Sequence, residues 1–460
     1  LLEFTSSVEN TTFTWNFSAA DTYLSGYNNE TINTGNLPTQ NIFNSSNIPG
    51  QVIFQVTPST IDCEGETKLV IITVNPKPII DNISEVICTG AEISLTPIEG
   101  TIPSGTTYSW NAPVSSPVNA ITGGTSGIDT TLISESELIN STISSAVLTY
   151  TITPSTADDC VGDSFTVSVT VNPLGQVNNP ANQEFCNDDN INISFNTENS
   201  GGVTTYAWTN SNSAIGLSNS GTGNLDVVAT NVTNDPITSN IVVTPSFEGC
   251  DGTPQTFTIT VNPTPQLNDP EDQVIFTGES TTAVNLISSV AGVTYSWTAN
   301  EPSGNLIGLT QTNGDSDQIL SETLVNNTSG PLVLTYVITP ILDGVECEAV
   351  IEEYTITINP SVTMLTVEDE VVCNGDEVNV DFQSANSGGT TSFEWTNDTE
   401  SIGLSISGSG NLPSFTAINN GTSPIVATLT VTPTFENGGI SNEGNSQTFT
   451  ITVNPSSQVD

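Results

Sequence analysis

Three observations predict an all-β fold, built as a tandem array of five antiparallel β-sandwich domains forming an extended rod. The first is a strand of alternating threonines that ends in Asn-Pro. It occurs five times, at Asn75-Pro76, Asn172-Pro173, Asn262-Pro263, Asn359-Pro360 and Asn454-Pro455. The prolines stand 97, 90, 97 and 95 residues apart, so one unit has been copied in tandem. The second is an aromatic residue, one spacer, then tryptophan: Phe13/Trp15, Tyr108/Trp110, Tyr206/Trp208, Tyr295/Trp297 and Phe393/Trp395. The third is the texture between these landmarks. Short runs of Val, Ile and Thr alternate with Gly, Asn, Ser and Pro clusters, and no amphipathic helix of useful length appears.

The units are residues 1–76, 77–173, 174–263, 264–360 and 361–455, with 456–460 starting a further linker. The first unit lacks its N-terminal part, as expected of a piece of a longer secreted polypeptide. The third shows its strands most clearly. They are expected at 183–186, 190–196, 204–210, 215–218, 225–230, 240–246 and 255–261, a count and spacing that suit an immunoglobulin-like sandwich. The i, i+2 spacing places both rings of each aromatic pair on one strand face, where Trp15, Trp110, Trp208, Trp297 and Trp395 are expected to anchor the cores. A sugar-stacking platform is the alternative for these rings. Each Asn-Pro ends its strand because proline has no N–H for the ladder and holds the preceding residue extended. The third and fifth units share Ile-Gly-Leu-Ser at 215–218 and 402–405. The second and fourth share Val-Leu-Thr-Tyr at 147–150 and 333–336, so a two-domain unit was duplicated in turn.

Composition removes most functional classes. The 460 residues include two lysines, no histidine and 50 acidic residues, for a formal net charge of -48. Nucleic-acid binding needs cationic side chains to displace counterions, and only Lys68 and Lys77 exist. Anionic membrane surfaces repel such a chain, and no apolar run reaches the ~20 residues of a membrane helix. Without histidine, Ser-His-Asp and Cys-His nucleophile systems are excluded. Without arginine there is no bidentate clamp for phosphate. A paired-carboxylate glycosidase is the one enzyme class left, and the acidic residues are too scattered to suggest one. No catalytic residue and no enzyme activity are expected.

The seven cysteines fall on two positions of the repeat. Cys88, Cys186 and Cys373 precede Trp110, Trp208 and Trp395 by one constant interval, at the turn after the first strand; Phe276 takes this place in the fourth unit. Cys63, Cys160, Cys250 and Cys347 precede Pro76, Pro173, Pro263 and Pro360 by another constant interval, in the turn before the last strand. In a head-to-tail rod the first turn lies at the tail end of its domain and the second at the head end. Pairing within a unit, Cys88–Cys160 and Cys186–Cys250, would then span most of a domain, beyond the ~4.4–6.8 Å Cα separation of a disulfide. Pairing across junctions gives Cys88–Cys250 and Cys186–Cys347, and it matches Phe276 with the cysteine missing from the fifth unit. This is the favoured arrangement, provided the first strand is full length; the pairing within units is the alternative. It leaves the junction between the fourth and fifth units without a staple, where bending is expected to concentrate. The cysteines are not clustered for zinc. Calcium is the one cofactor the chain could hold, through carboxylates in turns, with Asp188, Asp189, Asp269, Asp272 and Asp376 as weak candidates. No cofactor is otherwise expected.

The phrases Val243-Thr244-Pro245 before Cys250-Asp251-Gly252, then Thr256-Phe257-Thr258-Ile259-Thr260-Val261-Asn262-Pro263, then Val372-Cys373-Asn374-Gly375-Asp376 resemble the PKD-like repeats of very long secreted proteins of Bacteroidetes. Adhesins used in gliding motility carry repeats of this style. The resemblance implies an extracellular place on the surface of a Gram-negative bacterium, export by the type IX system, and no catalytic residues. It also implies O-glycosylation at Asp129-Thr130-Thr131. The expected function is a stalk or filament segment of a giant surface adhesin, serving attachment or gliding. Its expected partners are further repeats of the same polypeptide, surface polysaccharide and the cell-surface motility machinery. The alternatives are a carbohydrate-binding array and a spacer in a large secreted enzyme.

Overall fold

The computed structural model describes residues 1–301 and 303–457. Its apolar residues gather into five separate cores, built around Trp15, Trp110, Trp208, Trp297 and Trp395 in turn. The chain is all-β apart from two 3-10 turns, Ser213–Ile215 and Glu400–Ile402, among the described residues. The domains are immunoglobulin-like and follow one another in tandem along an elongated molecule.

The third repeat shows the common plan. Its main sheet has the order Gln183–Cys186, Gln255–Asn262, Ile237–Phe247, Thr204–Asn210, Ser220–Thr222. The first strand runs parallel to the last, with Cys186 opposite Asn262, and the other neighbours are antiparallel. Asn190–Ile193 and Leu225–Val228 pair to form the facing layer. Alternation decides the faces: Phe257, Ile259 and Val261 are buried while the threonines between them point outward. The second, fourth and fifth repeats have the same parallel first strand, at Ile83–Cys88, Gln273–Phe276 and Glu370–Cys373. The first repeat has the sheet order Asn33–Thr34, Thr12–Ala20, Gly50–Ser59, Lys68–Val74, so among the described residues its last strand is an edge.

One expected strand is corrected. Residues 215–218 do not form one, because a side-chain cap from Asn212 starts a 3-10 turn there. Gly216 then ends the turn at φ 90, a left-handed conformation open to glycine. Ile215 and Leu217 still reach the core, so the apolar alternation that suggested a strand is real but is served by a turn.

Each tryptophan of the second to fifth repeats lies across from a glycine on the neighbouring strand: Trp110–Gly127, Trp208–Gly221, Trp297–Gly314 and Trp395–Gly408. A Cβ on Gly221 would stand 2.3 Å from the indole ring, so only glycine lets the ring lie under that strand. Trp110 donates its indole N–H to the Thr125 carbonyl at 2.8 Å. The indole nitrogens of Trp15, Trp208, Trp297 and Trp395 are buried without a hydrogen-bond partner.

A second asparagine closes each domain beside its Asn-Pro exit. The strand stops at proline, and the carbonyl just before Asn-Pro is left inside the domain. In every repeat an asparagine side chain donates to it: Asn44 to Val74, Asn140 to Val171, Asn231 to Val261, Asn326 to Ile358 and Asn419 to Val453, at 2.7–2.8 Å. The same amide also donates to a carbonyl four residues on, as Asn231 does to Asp235 at 2.9 Å. Its oxygen accepts from the backbone two residues on, as from Thr233 at 2.9 Å. The asparagine thereby closes the tail end of the domain and shapes the loop that projects from it.

The accessible surface is 24775 Å². A single globule of this mass would expose roughly 16,500 Å², and five separate fifths roughly 25,500 Å². The domains therefore touch one another very little. Replacing Asn231 by alanine is expected to destabilise the third repeat by about 2–3 kcal/mol, because the buried amide's bonds to Val261, Asp235 and Thr233 are lost together. Urea unfolding of the variant checks this, and an unchanged midpoint would show that these side-chain bonds add nothing to stability.

Candidate functional site

An open cleft of about 600 Å³ spans the junction of the second and third repeats, bounded by Thr89, Asn140, Pro173, Gly175, Glu198 and Gln255, so the places to examine are the domain junctions. The parallel first strand carries its terminal turn to the tail end. The hairpin before the last strand lies at the head end of the following domain. The structure joins Cys88 to Cys250 with a Cα separation of 5.5 Å, and Cys186 to Cys347 at 5.4 Å. Both disulfides cross a junction, and the alternative pairs Cys88–Cys160 and Cys186–Cys250 are not formed. Cys63, Cys160 and Cys373 are free thiols. Each disulfide closes a loop of more than 160 residues. Chain entropy alone assigns such a closure about 5 kcal/mol.

A second contact lies on the other side of the three junctions from the second repeat to the fifth, made by the loop that the buried asparagine shapes. Ser200 N–H donates to the Ile143 carbonyl at 3.0 Å, and Ser387 N–H to the Ser329 carbonyl at 2.9 Å. Ser289 reaches Asn234 at 3.5 Å. All three serines stand eight residues before their tryptophan. The linker is held between the two contacts. Gly175 N–H donates to the Cys250 carbonyl at 3.0 Å, and Gln176 N–H to Asn199 at 2.7 Å. A Cβ on Gly252 would meet the Gly175 carbonyl oxygen at 1.7 Å, so hairpin and linker touch backbone to backbone.

The junction between the fourth and fifth repeats has no disulfide, yet it is not loose. Asn437 donates its amide to Asn359 at 2.8 Å, and Asn359 returns a bond to the Asn437 carbonyl at 3.2 Å. Gly438, at φ 63, seats the hairpin tip against Val274. The expectation of a weak point here counted covalent links only. The barest junction is the one between the first and second repeats. Among the described residues no hydrogen bond or disulfide joins 1–76 to 77–173. The first repeat has no first strand there to bring a cysteine to Cys160.

The weak calcium candidates occupy separate places. Asp189 and Asp376 accept the N–H of Cys186 and Cys373 at 2.7 Å, tying the turn that carries each cysteine. Asp272 accepts the Thr355 N–H at 2.7 Å, latching the first strand to the last, as Asn82, Asn182 and Asp369 do in their own repeats. Asp188 and Asp269 are exposed. Among the described residues no three acidic or cysteine side chains come together to hold a metal ion. Spacing alone could not show that these carboxylates already serve backbone N–H groups.

The core tryptophans are all buried, with Tyr108, Tyr295 and Phe393 beside three of them and Phe13 and Tyr206 half-buried. None of the five tryptophans is more than 7% exposed. Two carboxylates are also buried, one in each even repeat. Glu135 accepts from Thr125 N–H at 2.7 Å and from Tyr150 at 3.2 Å. Glu322 accepts from the Thr310 and Gln311 N–H groups at 2.6 and 2.9 Å. They lie in different domains and cannot act as a pair. Burial first, and then the Glu135 carboxylate, pushes the Tyr150 hydroxyl far above the usual tyrosine range, so it stays neutral in the core. The two lysines form exposed ion pairs, Lys68–Glu66 and Lys77–Asp163, both at 2.8 Å, of a kind that contributes little. Among the described residues no helix is long and apolar enough to cross a membrane.

The sequence profile of a family described as PKD-like domain matches residues 2–78, 85–175 and 275–362, together more than half of the chain. No curated protein matches it in sequence. Solved structures similar in domain plan include Drosophila N-cadherin EC1-4, at 13% identity over 82% of this chain and 100% of that one, with a TM-score of 0.27. Sidekick-1 immunoglobulin domains 1-4 align at 13% identity over 82% and 98%, TM-score 0.25. The insect immune protein hemolin aligns at 11% identity over 83% and 99%, TM-score 0.23. Scores this low carry no argument about function.

Proteolysis of the unreduced chain is expected to release Cys88 linked to Cys250 and Cys186 linked to Cys347. A peptide linking Cys88 to Cys160 would contradict the junction geometry.

Proposed function

Because the chain belongs to the PKD-like domain family, and its domains meet through small clasped junctions, we propose that it is a structural spacer: a stalk or filament segment of a large extracellular adhesin. The units would be 1–76, 77–173, 174–263, 264–360 and 361–455. The observation that carries this reading is the pairing of minimal contact area with covalent ties across two junctions. Interfaces this small normally permit free hinge motion between domains. Disulfides in the junctions restrict that motion without adding mass, which suits a part that must hold other parts at a distance. The high negative charge keeps such a rod soluble and apart from its neighbours. Disulfides suit an oxidising, extracellular setting.

The finer reading places it on the surface of a Gram-negative bacterium as part of an attachment or gliding adhesin exported by the type IX system. Further repeats of the same polypeptide are its partners, with surface polysaccharide or the motility machinery contacted elsewhere. The role needs no bound metal and no catalytic group. A carbohydrate-binding array is the competing reading, and the burial of the tryptophans under facing glycines speaks against it.

Two measurements on the intact chain test the proposal. A glycan array is expected to show no binding; retention of a polysaccharide by the repeats themselves would favour the competing reading. Melting in millimolar calcium and in chelator is expected to give the same midpoint. A clear rise with calcium would make the rod a metal-stiffened one.

A further inference from the structure

The two disulfides are interlaced, and the order of their cysteines along the chain decides how the array answers to a pull. Cys186 lies inside the loop that Cys88 and Cys250 close, and its partner Cys347 lies outside it. The chain therefore runs three times between the same two covalent nodes. It goes from Cys88 to Cys186 over 98 residues, returns from Cys186 to Cys250 over 64, and goes out again from Cys250 to Cys347 over 97. The first run carries the body of the second repeat, the second that of the third, and the last that of the fourth. In an ordinary tandem chain these bodies stand in series. Between the two nodes they stand in parallel.

Each run is held short while its repeat is folded. Cys88 lies opposite Asn172 in the ladder, and the Thr89 N–H donates to the Asn172 carbonyl at 2.8 Å. The folded second repeat thus begins and ends its part of the run at one place, and only the 14 residues from Asn172 to Cys186 reach the far node. In the fourth repeat the Val350 N–H donates to the Pro265 carbonyl at 3.3 Å, three residues from Cys347. With that repeat folded, the 15 residues from Cys250 to Pro265 set the separation. Fourteen or fifteen residues span at most about 50 Å when straight, little more than the 35–40 Å that one domain of about ten-residue strands measures. Both stretches already include extended strands, Gln183–Cys186 and Gln255–Asn262. The middle run is held by the third repeat itself, whose first and last strands pair in parallel from Gln183–Ile259 to Cys186–Asn262. Outside the nodes, load crosses the second repeat along Ile83–Cys88 and leaves the fourth along Glu352–Asn359, which are extended as well.

We propose that the second, third and fourth repeats act as one load-sharing block with a covalent limit on its extension. Under tension no length is released between the nodes until all three bodies have opened, because any one folded body keeps its run short. When all three are open, the shortest run, from Cys186 to Cys250, stops the extension at about 220 Å, against about 880 Å for Cys88 to Cys347 in reduced chain. Reduction turns the block back into three independent repeats. This function rests on the reading of the chain as a stalk, a part that is pulled from both ends.

The test is single-molecule force–extension of the whole chain held by its two termini, oxidised and then in reductant. The first and fifth repeats lie outside the nodes and serve as internal references in both states. In reductant the three central repeats are expected to open in separate steps of roughly 300 Å each. Oxidised, they are expected to give a single step of about 180 Å, and the fully extended chain should end about 660 Å short of the reduced one. The double variant Cys186→Ser, Cys347→Ser keeps one loop and should end about 550 Å short, so the second disulfide hides only about 110 Å more, because the loops overlap. Separate central steps in the oxidised chain, equal final lengths in the two states, or a shortfall of about 460 Å, which pairs within repeats would give, would each overturn the inference. None of these lengths depends on glycan or calcium binding, so the stalk reading and the load-sharing block can fail separately.

Discussion

The structure depends on a hydrogen bond from a buried asparagine amide to the last carbonyl before each Asn-Pro. Proline ends the strand and lets the chain leave the domain in an extended form. That ending leaves a carbonyl inside the domain at the last antiparallel pair of the ladder, such as Ile237 with Val261, and the asparagine amide adds a second donor to it. Asn140, Asn231, Asn326 and Asn419 are almost fully buried and supply that donor, with Asn44 serving the first repeat. The same side chain then shapes the loop that reaches the next domain. Domain closure and domain spacing are therefore set by one residue.

The chemistry of the junctions follows from the composition. With two lysines and no arginine, ion pairs cannot hold domains together, and 50 carboxylates push them apart. What remains is neutral: amide and backbone hydrogen bonds, glycine contacts and disulfides. The odd and even repeats solve the same problem with different residues. The backbone N–H groups of Asn231 and Asn419 donate to the side-chain oxygens of Asn187 and Asn374, whereas those of Asn140 and Asn326 donate to the hydroxyls of Thr89 and Thr277. At the fourth–fifth junction, which has no disulfide, Asn359 and Asn437 exchange amide bonds at the corresponding place. Each junction thus combines a small contact area with contacts on opposite sides, an arrangement that resists bending more than its area suggests. The first junction, which has neither side, is the exception.

Much of this plan is legible in the sequence because it rests on period and alternation. The repeat length, the all-β class, the outward threonines and the tryptophan cores all leave regular traces. Cysteine spacing marks the two poles because every repeat places its turns alike. The traces are weaker where a residue acts through one specific contact. The asparagine plugs fall in Asn-x-Ser/Thr sequences such as 140–142, 231–233 and 326–328, which an Asn- and Thr-rich chain produces by chance. The glycines over the tryptophans follow them at one spacing in the third and fifth repeats, Gly221 and Gly408, and at a longer one in the second and fourth, Gly127 and Gly314. No single interval therefore reveals them. Ile-Gly-Leu-Ser reads as strand because both its apolar residues are buried, although a left-handed glycine makes it a turn. The Asn359–Asn437 clasp joins residues of ordinary composition 78 positions apart and leaves no local mark.

The central claim is that clasped junctions hold the second to fifth sandwiches as a rod, with the first joined to it in line by the chain alone. Small-angle scattering of the intact, oxidised chain tests it most directly. At about 35–40 Å per domain, from strands of about ten residues, the account predicts a maximum dimension near 200 Å with a rod-like cross-section. A single compact body with a radius of gyration of roughly 23 Å, or a flexible string whose dimensions do not change when both disulfides are reduced, would contradict it.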